Sequence, residues 1–146
     1  MAERKATASW DGSLNEGTGR MSLGSGAFEG TFSFATRMGD EPGTNPEELL
    51  GAALAGCYSM ALNATLEKEG KPATSVKTDA VVHFGKDDIG FAVLGIDLNT
   101  EAEVEGIDEI EFKVIAGKVK ATCPISRALS VPITLEAKLV NGSSKL

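Results

Sequence analysis

Among its 146 residues the chain has one His, two Cys, one Trp and one Tyr, and each scarcity excludes something. Cys57, Cys123 and His83 lack the close paired spacing of zinc ligands, so no zinc site can be assembled from them. No Ser-His-Asp constellation can be argued around the lone His, and no Gly-rich loop leads a strand into a helix to cradle a phosphate. Lys and Arg are not clustered and the net charge is -7, which disfavours nucleic acid or an anionic membrane as partner. No apolar run approaches the roughly 18 to 20 residues that cross a bilayer, so a soluble chain is expected. The opening MAERKATASWDG has no apolar stretch of the kind a secretory signal needs. A reducing, cytoplasmic compartment is therefore expected, where the few thiols present act more often than they staple. The terminal Ser144, Lys145 and Leu146 match a peroxisomal address, which matters only in a host that has peroxisomes.

Apolar residues at 42% and charged residues at 24% are those of an ordinary globular domain. A chain of this length can bury about two thirds of its unfolded surface in one core. One domain over residues 1–140 is expected, followed by a flexible tail at 141–146. Lys5 to Trp10 reads as a strand broken by Asp11-Gly12, and Phe28, Phe32 and Phe34 alternate as a half-buried strand would. After a loop at Met38 to Gly43 comes the most fully punctuated segment, TNPEELLGAALAGCYSMALN. Asn45 is placed as N-cap, Pro46 as the first helical residue, Glu48 as the capping-box partner of Asn45 and Gly70 as the terminator. Between Leu49 and Leu62 this helix is apolar or small on nearly every side, so it must be surrounded. A chain this short can cover such a helix only with a sheet on one side and a second subunit on the other, which favours a homodimer.

Ser75 to Phe84 and Ile89 to Ala102 read as strands joined by a polar turn, with His83 a surface residue of the first. Asp108 to Lys120 reads as an amphipathic helix burying Ile110, Val114, Ile115 and Val119. Cys123-Pro124 opens a short helix from Ile125 to Leu129, and Ile133 to Val140 forms the last strand. The element order indicates an α+β fold rather than regular βαβ alternation.

Cys57 lies mid-helix, and two readings of it are open. Free Cys is among the most buried residue types and behaves as a small hydrophobe, so from position alone Cys57 is inert. Alternatively, Cys57 and Cys123 form a reversible disulfide. Cys123 sits at a helix start, where the dipole and free N–H groups stabilise a thiolate, and taken alone it is the more reactive thiol. Cys57 gains little from a macrodipole that fades beyond the first turn, so as a nucleophile it needs a cation. Arg37 is the candidate, with Glu47 to hold its guanidinium bidentately. At about 1.5 Å per residue, Glu47 and Cys57 lie roughly 15 Å apart along one helix. A site using both would draw Glu47, and Arg37 with it, from a partner subunit across antiparallel helices.

The stretch TNPEELLGAALAGCYSMAL, the upstream Thr36-Arg37 and the downstream Cys123-Pro124-Ile125-Ser126 together resemble the OsmC/Ohr family of thiol-dependent peroxidases, closest to its OsmC branch. The resemblance runs from the strand with Trp10-Asp11-Gly12 to the last strand. It implies an intertwined α+β homodimer with antiparallel sheets wrapped around two long central helices. It also implies that Cys57 attacks the peroxide as a thiolate, that Cys123 resolves the sulfenic acid as a disulfide, and that Arg37 and Glu47 form the activating pair. No metal or organic cofactor is implied, and the reductant implied is dihydrolipoamide or a lipoylated protein. Where the family often carries His in an AAHAAC segment this chain has Leu54. That departure leads to the expectation of a more apolar pocket, favouring bulky organic hydroperoxides. The rival reading is a non-enzymatic protein of the same fold that binds a lipid-like ligand or senses redox stress.

Overall fold

Alternating residues in the first segments build a small meander. Strands β1 (Ala6–Asp11), β2 (Thr18–Leu23) and β3 (Glu29–Phe32) form an antiparallel sheet in the order β1-β2-β3. The computed structural model describes residues 1–140, so the expected tail and the Ser144-Lys145-Leu146 ending lie outside the described residues. The chain divides into two compact units, Met1–Leu49 and Leu50–Leu146.

In the first unit Trp10 and Phe32 pack with ring centroids 5.5 Å apart across the meander. Gly19 lies beneath them, and a Cβ there would come within 2.5 Å of the Phe32 ring and 2.8 Å of Trp10. Only a glycine lets the two rings close over β2. The chain then departs from the expected strand, because Phe34 and Arg37 belong to a short helix, α1 (Phe34–Met38). The cause is local: Ser33 Oγ accepts from the Thr36 N–H at 3.2 Å, and Thr36 Oγ1 accepts from the Ser33 N–H at 2.8 Å. This reciprocal cap starts a helical turn where phenylalanine alternation alone reads as strand.

Helix α2 (Pro46–Lys68) starts and ends where expected, with one half of the expected capping box formed. Asn45 Oδ1 accepts from the Glu48 N–H at 2.8 Å, while the Glu48 carboxylate takes the Asn45 side-chain amide at 3.5 Å. At the far end Gly70 has φ +76, the Lys71 N–H reaches Leu66 O and the Gly70 N–H reaches Glu67 O. These two crossed bonds make a Schellman end, which needs the left-handed residue that Gly supplies.

The second unit holds a sheet ordered β4-β5-β6, from β4 (Ala73–Lys86), β5 (Phe91–Val104) and β6 (Ile133–Leu139). β4 and β5 are antiparallel, whereas β6 joins β5 in parallel. The parallel pair follows from the crossover through α3 (Glu109–Thr122) and α4 (Pro124–Ala128). The fold is α+β, as expected, with this one parallel ladder where antiparallel sheets were anticipated.

The core of this unit is a sandwich of α2 and α3 on one sheet face. Leu54, Tyr58, Leu62 and Leu66 of α2 meet Ile96, Leu98, Ala102 and Val104 of β5, all essentially sealed from solvent. Each such side chain contributes on the order of 1.5 to 3 kcal/mol of burial. On α3 the buried face is Phe112, Ile115, Ala116 and Val119, while Ile110 and Val114 are 79% and 52% exposed. The expected stripe was therefore rotated: the i, i+3, i+4, i+7 series begins at Phe112.

One further expectation about α2 changes. It is long and apolar enough, by length and composition, to cross a membrane, which corrects the expectation that no segment reaches that size. Its spacing of Leu54, Tyr58, Leu62 and Leu66 nevertheless packs as a core helix. Within the single chain Ala52, Ala53, Gly56, Met60 and Ala64 on its remaining surface are exposed, the side that the expected second subunit would cover. One sheet face covers one stripe of a helix, and the second unit supplies one such face to α2.

Candidate active site

The four residues singled out in the sequence fall into two pairs, one in each unit. In the first unit, Arg37 stands in the last turn of α1 and Glu47 in the first turn of α2. Asn45 Nδ2 donates to Thr36 O at 3.4 Å, which ties the start of α2 to α1 beside the pair. Arg37 Nε and Nη2 donate to Glu47 Oε1 and Oε2, both at 2.8 Å. This is the fork-to-fork geometry of a bidentate guanidinium–carboxylate pair, which fixes direction as well as distance. The Glu47 side chain is 12% exposed and that of Arg37 38%. Glu47 hydrogen bonds hold the guanidinium more firmly protonated, against a smaller opposing effect of burial.

Beside Arg37, within the same unit, lies an apolar pocket of about 310 Å³. Trp10, Leu14, Phe32, Phe34 and Met38 line it, and Arg37 supplies its charged edge. Leu54 is wholly buried in the core of the second unit. The expectation that Leu54 makes the substrate pocket more apolar is therefore corrected, since a residue three before Cys57 turns toward the sheet.

In the second unit Cys57 and Cys123 are both free thiols, and the fold brings them together. Cys57 packs against the buried cluster that contains Cys123, near enough for Cys123 and the Ile125 backbone N–H to bear on its ionisation. Burial pushes the Cys57 thiol up from its ordinary value and the adjoining Cys123 pushes it further, while the Ile125 N–H acts the other way. Cys123 is 1% exposed, and its S–H donates to Ser126 Oγ at 3.1 Å. That reverses the ranking made from position alone, because Cys123 is sealed away and Cys57 is the more accessible of the two. α4 has five residues and Cys123 makes no side-chain cap to it.

Tyr58, next to Cys57, is also buried, and its hydroxyl donates to Ala116 O at 2.9 Å. It anchors the helix turn carrying Cys57 against α3. His83 lies on the strand surface as expected, 2.6 Å from Asp97 Oδ2, while Thr134 donates to the other Asp97 oxygen at 2.6 Å. Among the described residues no group of three or more His, Cys, Asp or Glu could hold a metal ion.

A family model described as OsmC-like protein matches residues 39–138. The chain belongs to the OsmC-like family. Within it, the peroxiredoxin OsmC of Escherichia coli is 44% identical over 137 residues, covering 93% of this chain and 96% of that protein. The organic hydroperoxide resistance protein OhrA of Bacillus subtilis is 32% identical over 99 residues, covering 66% of this chain and 68% of that protein. Among solved structures, an OsmC-like protein from Vibrio cholerae superposes with a TM-score of 0.76 at 18% identity, over 94% of this chain and 99% of that one. At that identity the likeness bears on the fold alone, and the fold is OsmC-like. Sequence reasoning about this OsmC-like chain missed Ser126 as a partner of Cys123, for which the available signal is the i, i+3 spacing that puts the two side chains on one face of a helical turn. It also missed the pocket beside Arg37, whose walls come from strands and α1 together.

Proposed function

We propose that the chain is a thiol peroxidase that reduces organic hydroperoxides to alcohols in defence against oxidative stress. The observation that carries this reading is that the free thiols Cys57 and Cys123 lie in one core cluster, close enough for Cys123 to act on the ionisation of Cys57. Two thiols held together by a core helix and a crossover connection are placed for a reversible disulfide. The names of the similar proteins, a peroxiredoxin and an organic hydroperoxide resistance protein, point the same way.

In the proposed cycle the Cys57 thiolate attacks the terminal oxygen of the hydroperoxide. An S–O bond forms, the O–O bond breaks, and the alkoxide leaves as alcohol after taking a proton. Cys57 is then a sulfenic acid. Cys123 attacks its sulfur, the S–S bond forms, the S–O bond breaks, and the hydroxide departs as water with the proton given up by Cys123. A dithiol, proposed to be dihydrolipoamide or a lipoylated protein, restores both thiols by exchange.

Burial and Cys123 oppose ionisation of Cys57, so the thiolate needs a cation. We assign that role to Arg37, held by Glu47. Glu47 lies about ten residues from Cys57 on α2, so the pair is proposed to serve Cys57 of a partner subunit in a homodimer. The open face of α2 with Ala52, Gly56 and Met60 supports that assembly, because small residues let two helices approach closely. The apolar pocket beside Arg37 favours a hydrophobic organic hydroperoxide over hydrogen peroxide. The protein is taken as cytoplasmic, with the Ser144-Lys145-Leu146 ending read only in a host with peroxisomes. The same pocket could serve a protein that merely binds a lipid-like ligand, and turnover separates the two readings.

The test is steady-state reduction of cumene hydroperoxide with dihydrolipoamide as electron donor. The peroxidase reading predicts multiple turnovers, lost in Cys57→Ser and faster than with hydrogen peroxide. Mixed dimers of Cys57→Ala and Glu47→Gln subunits should regain activity above either parent, since one of the two sites is then intact. An inert wild type would leave the binding reading, and unrescued mixtures would overturn the cross-subunit site.

A further inference from the structure

The direction of the Cys123 S–H is fixed by a neighbouring side chain. Its acceptor, Ser126 Oγ, lies 3.1 Å away, and both residues are buried, Cys123 at 1% and Ser126 at 8% exposure. In so closed a place water does not compete for the hydrogen bond, so its orientation persists. A thiol sulfur has one hydrogen and two lone pairs. With the hydrogen committed to Ser126, the lone pairs of Cys123 are what remains for its other neighbour, and that neighbour is the Cys57 thiol. Cys123 therefore faces Cys57 as an acceptor in the reduced protein, which is the polarity it needs as a nucleophile after Cys57 is oxidised.

We propose that Ser126 is a positioning residue for closure of the Cys57–Cys123 disulfide, holding the Cys123 hydrogen away from Cys57 so that a sulfur lone pair points at the sulfenic acid. The inference rests on the peroxidase reading and names a residue for its second step. At closure the S–S bond forms as the S–O bond of Cys57 breaks. The leaving hydroxide and the proton released from Cys123 combine as water, so Cys123 is oxidised and the Cys57 sulfenic acid is reduced. Without the Ser126 hydroxyl the S–H is free to rotate toward Cys57 and the lone pair away from it. The reactive orientation is then less populated, so closure slows and the sulfenic acid lives longer, open to a second peroxide and the sulfinic acid that follows.

The experiment is a single turnover of the reduced full-length protein with one equivalent of cumene hydroperoxide, quenched at intervals with a dione that traps sulfenic acid and weighed intact. In Ser126→Ala the ratio of the closure rate to the rate of the first step should fall about tenfold, the scale of one hydrogen bond. Trapped Cys57 sulfenic acid should accumulate accordingly, and excess peroxide should drive it to sulfinic acid. Ser126→Thr, which keeps the hydroxyl, should restore closure. Closure in Ser126→Ala at the wild-type ratio would overturn the proposal, as would a Ser126→Thr variant as slow as Ser126→Ala, which would make the effect one of packing. If wild type gives neither adduct nor disulfide, the peroxidase reading itself fails, whereas a wild type that closes with an unaffected Ser126→Ala refutes the role of Ser126 alone.

Discussion

Replacing Arg37 with Met removes the cation while keeping a long unbranched side chain, and so isolates what activates Cys57. Within its own unit the Cys57 thiol is pushed above its ordinary value, first by burial and then by Cys123, with the Ile125 N–H opposing both. An ordinary thiol is only a few per cent thiolate near neutral pH, and one pushed upward is less ionised still. Only the thiolate attacks, so the first step in Arg37→Met should be at least about 30-fold slower near neutrality if wild-type Cys57 is fully ionised there. The sign of the pH dependence follows: the variant's rate climbs about tenfold per pH unit toward alkaline values, while the wild-type rate stays flat. Unfolding cannot imitate this, because the Arg37 side chain is more than a third exposed and its ion pair is worth about 1 kcal/mol or less to stability. Single-turnover thiol oxidation followed across pH, with thermal melts alongside, provides the assay. An Arg37→Met rate equal to wild type with the same pH profile would refute the assignment of Arg37.

Truncating Trp10 to Ala opens one wall of the pocket and removes the partner that Phe32 packs against at 5.5 Å. KM for cumene hydroperoxide should rise about tenfold, on the scale of one buried aromatic contact, while kinetics with hydrogen peroxide are unchanged. Burial, and secondarily Cys123, raises the Tyr58 phenol above its ordinary value. The neutral form is thus favoured in the fold, and that contribution is complete below about pH 10 and lost as pH rises through the folded value. Tyr58→Phe should therefore lose about 1 kcal/mol at neutral pH yet show a shallower alkaline decline in urea midpoint. Leu62→Ala, at a fully buried position between α2 and β5, should cost about 2 to 5 kcal/mol in the same titration.

Helix α2 was legible in the sequence because its limits are set by local chemistry: Asn45 and Pro46 start it, and Gly70 ends it. The family was legible for a similar reason, since the motif around Cys57 and the Cys123-Pro124 pair are short and specific. The pairing of the two thiols was only an open alternative from the residues and gained its roles through that resemblance, because nothing local to either Cys says which face meets the other. α1 was hidden by three alternating phenylalanines, and the deciding residues were the quieter Ser33 and Thr36. On α3 an apolar tally selected Ile110 and Val114, which are exposed, over the smaller Ala116, which is wholly buried. The parallel pairing of β6 with β5 depends on where a crossover returns, which no strand records in its own residues. Leu54 was misplaced for the same reason, since a single helix position does not reveal whether it turns to a pocket or to a sheet.

The central claim is that Cys57 and Cys123 act together on a peroxide. Reduced protein treated with one equivalent of cumene hydroperoxide, then assayed for free thiols, intact mass and cumyl alcohol, tests it most directly. The account predicts rapid loss of both thiols, a mass lower by two hydrogens and one alcohol released per chain. Thiols that persist while the hydroperoxide survives would contradict it.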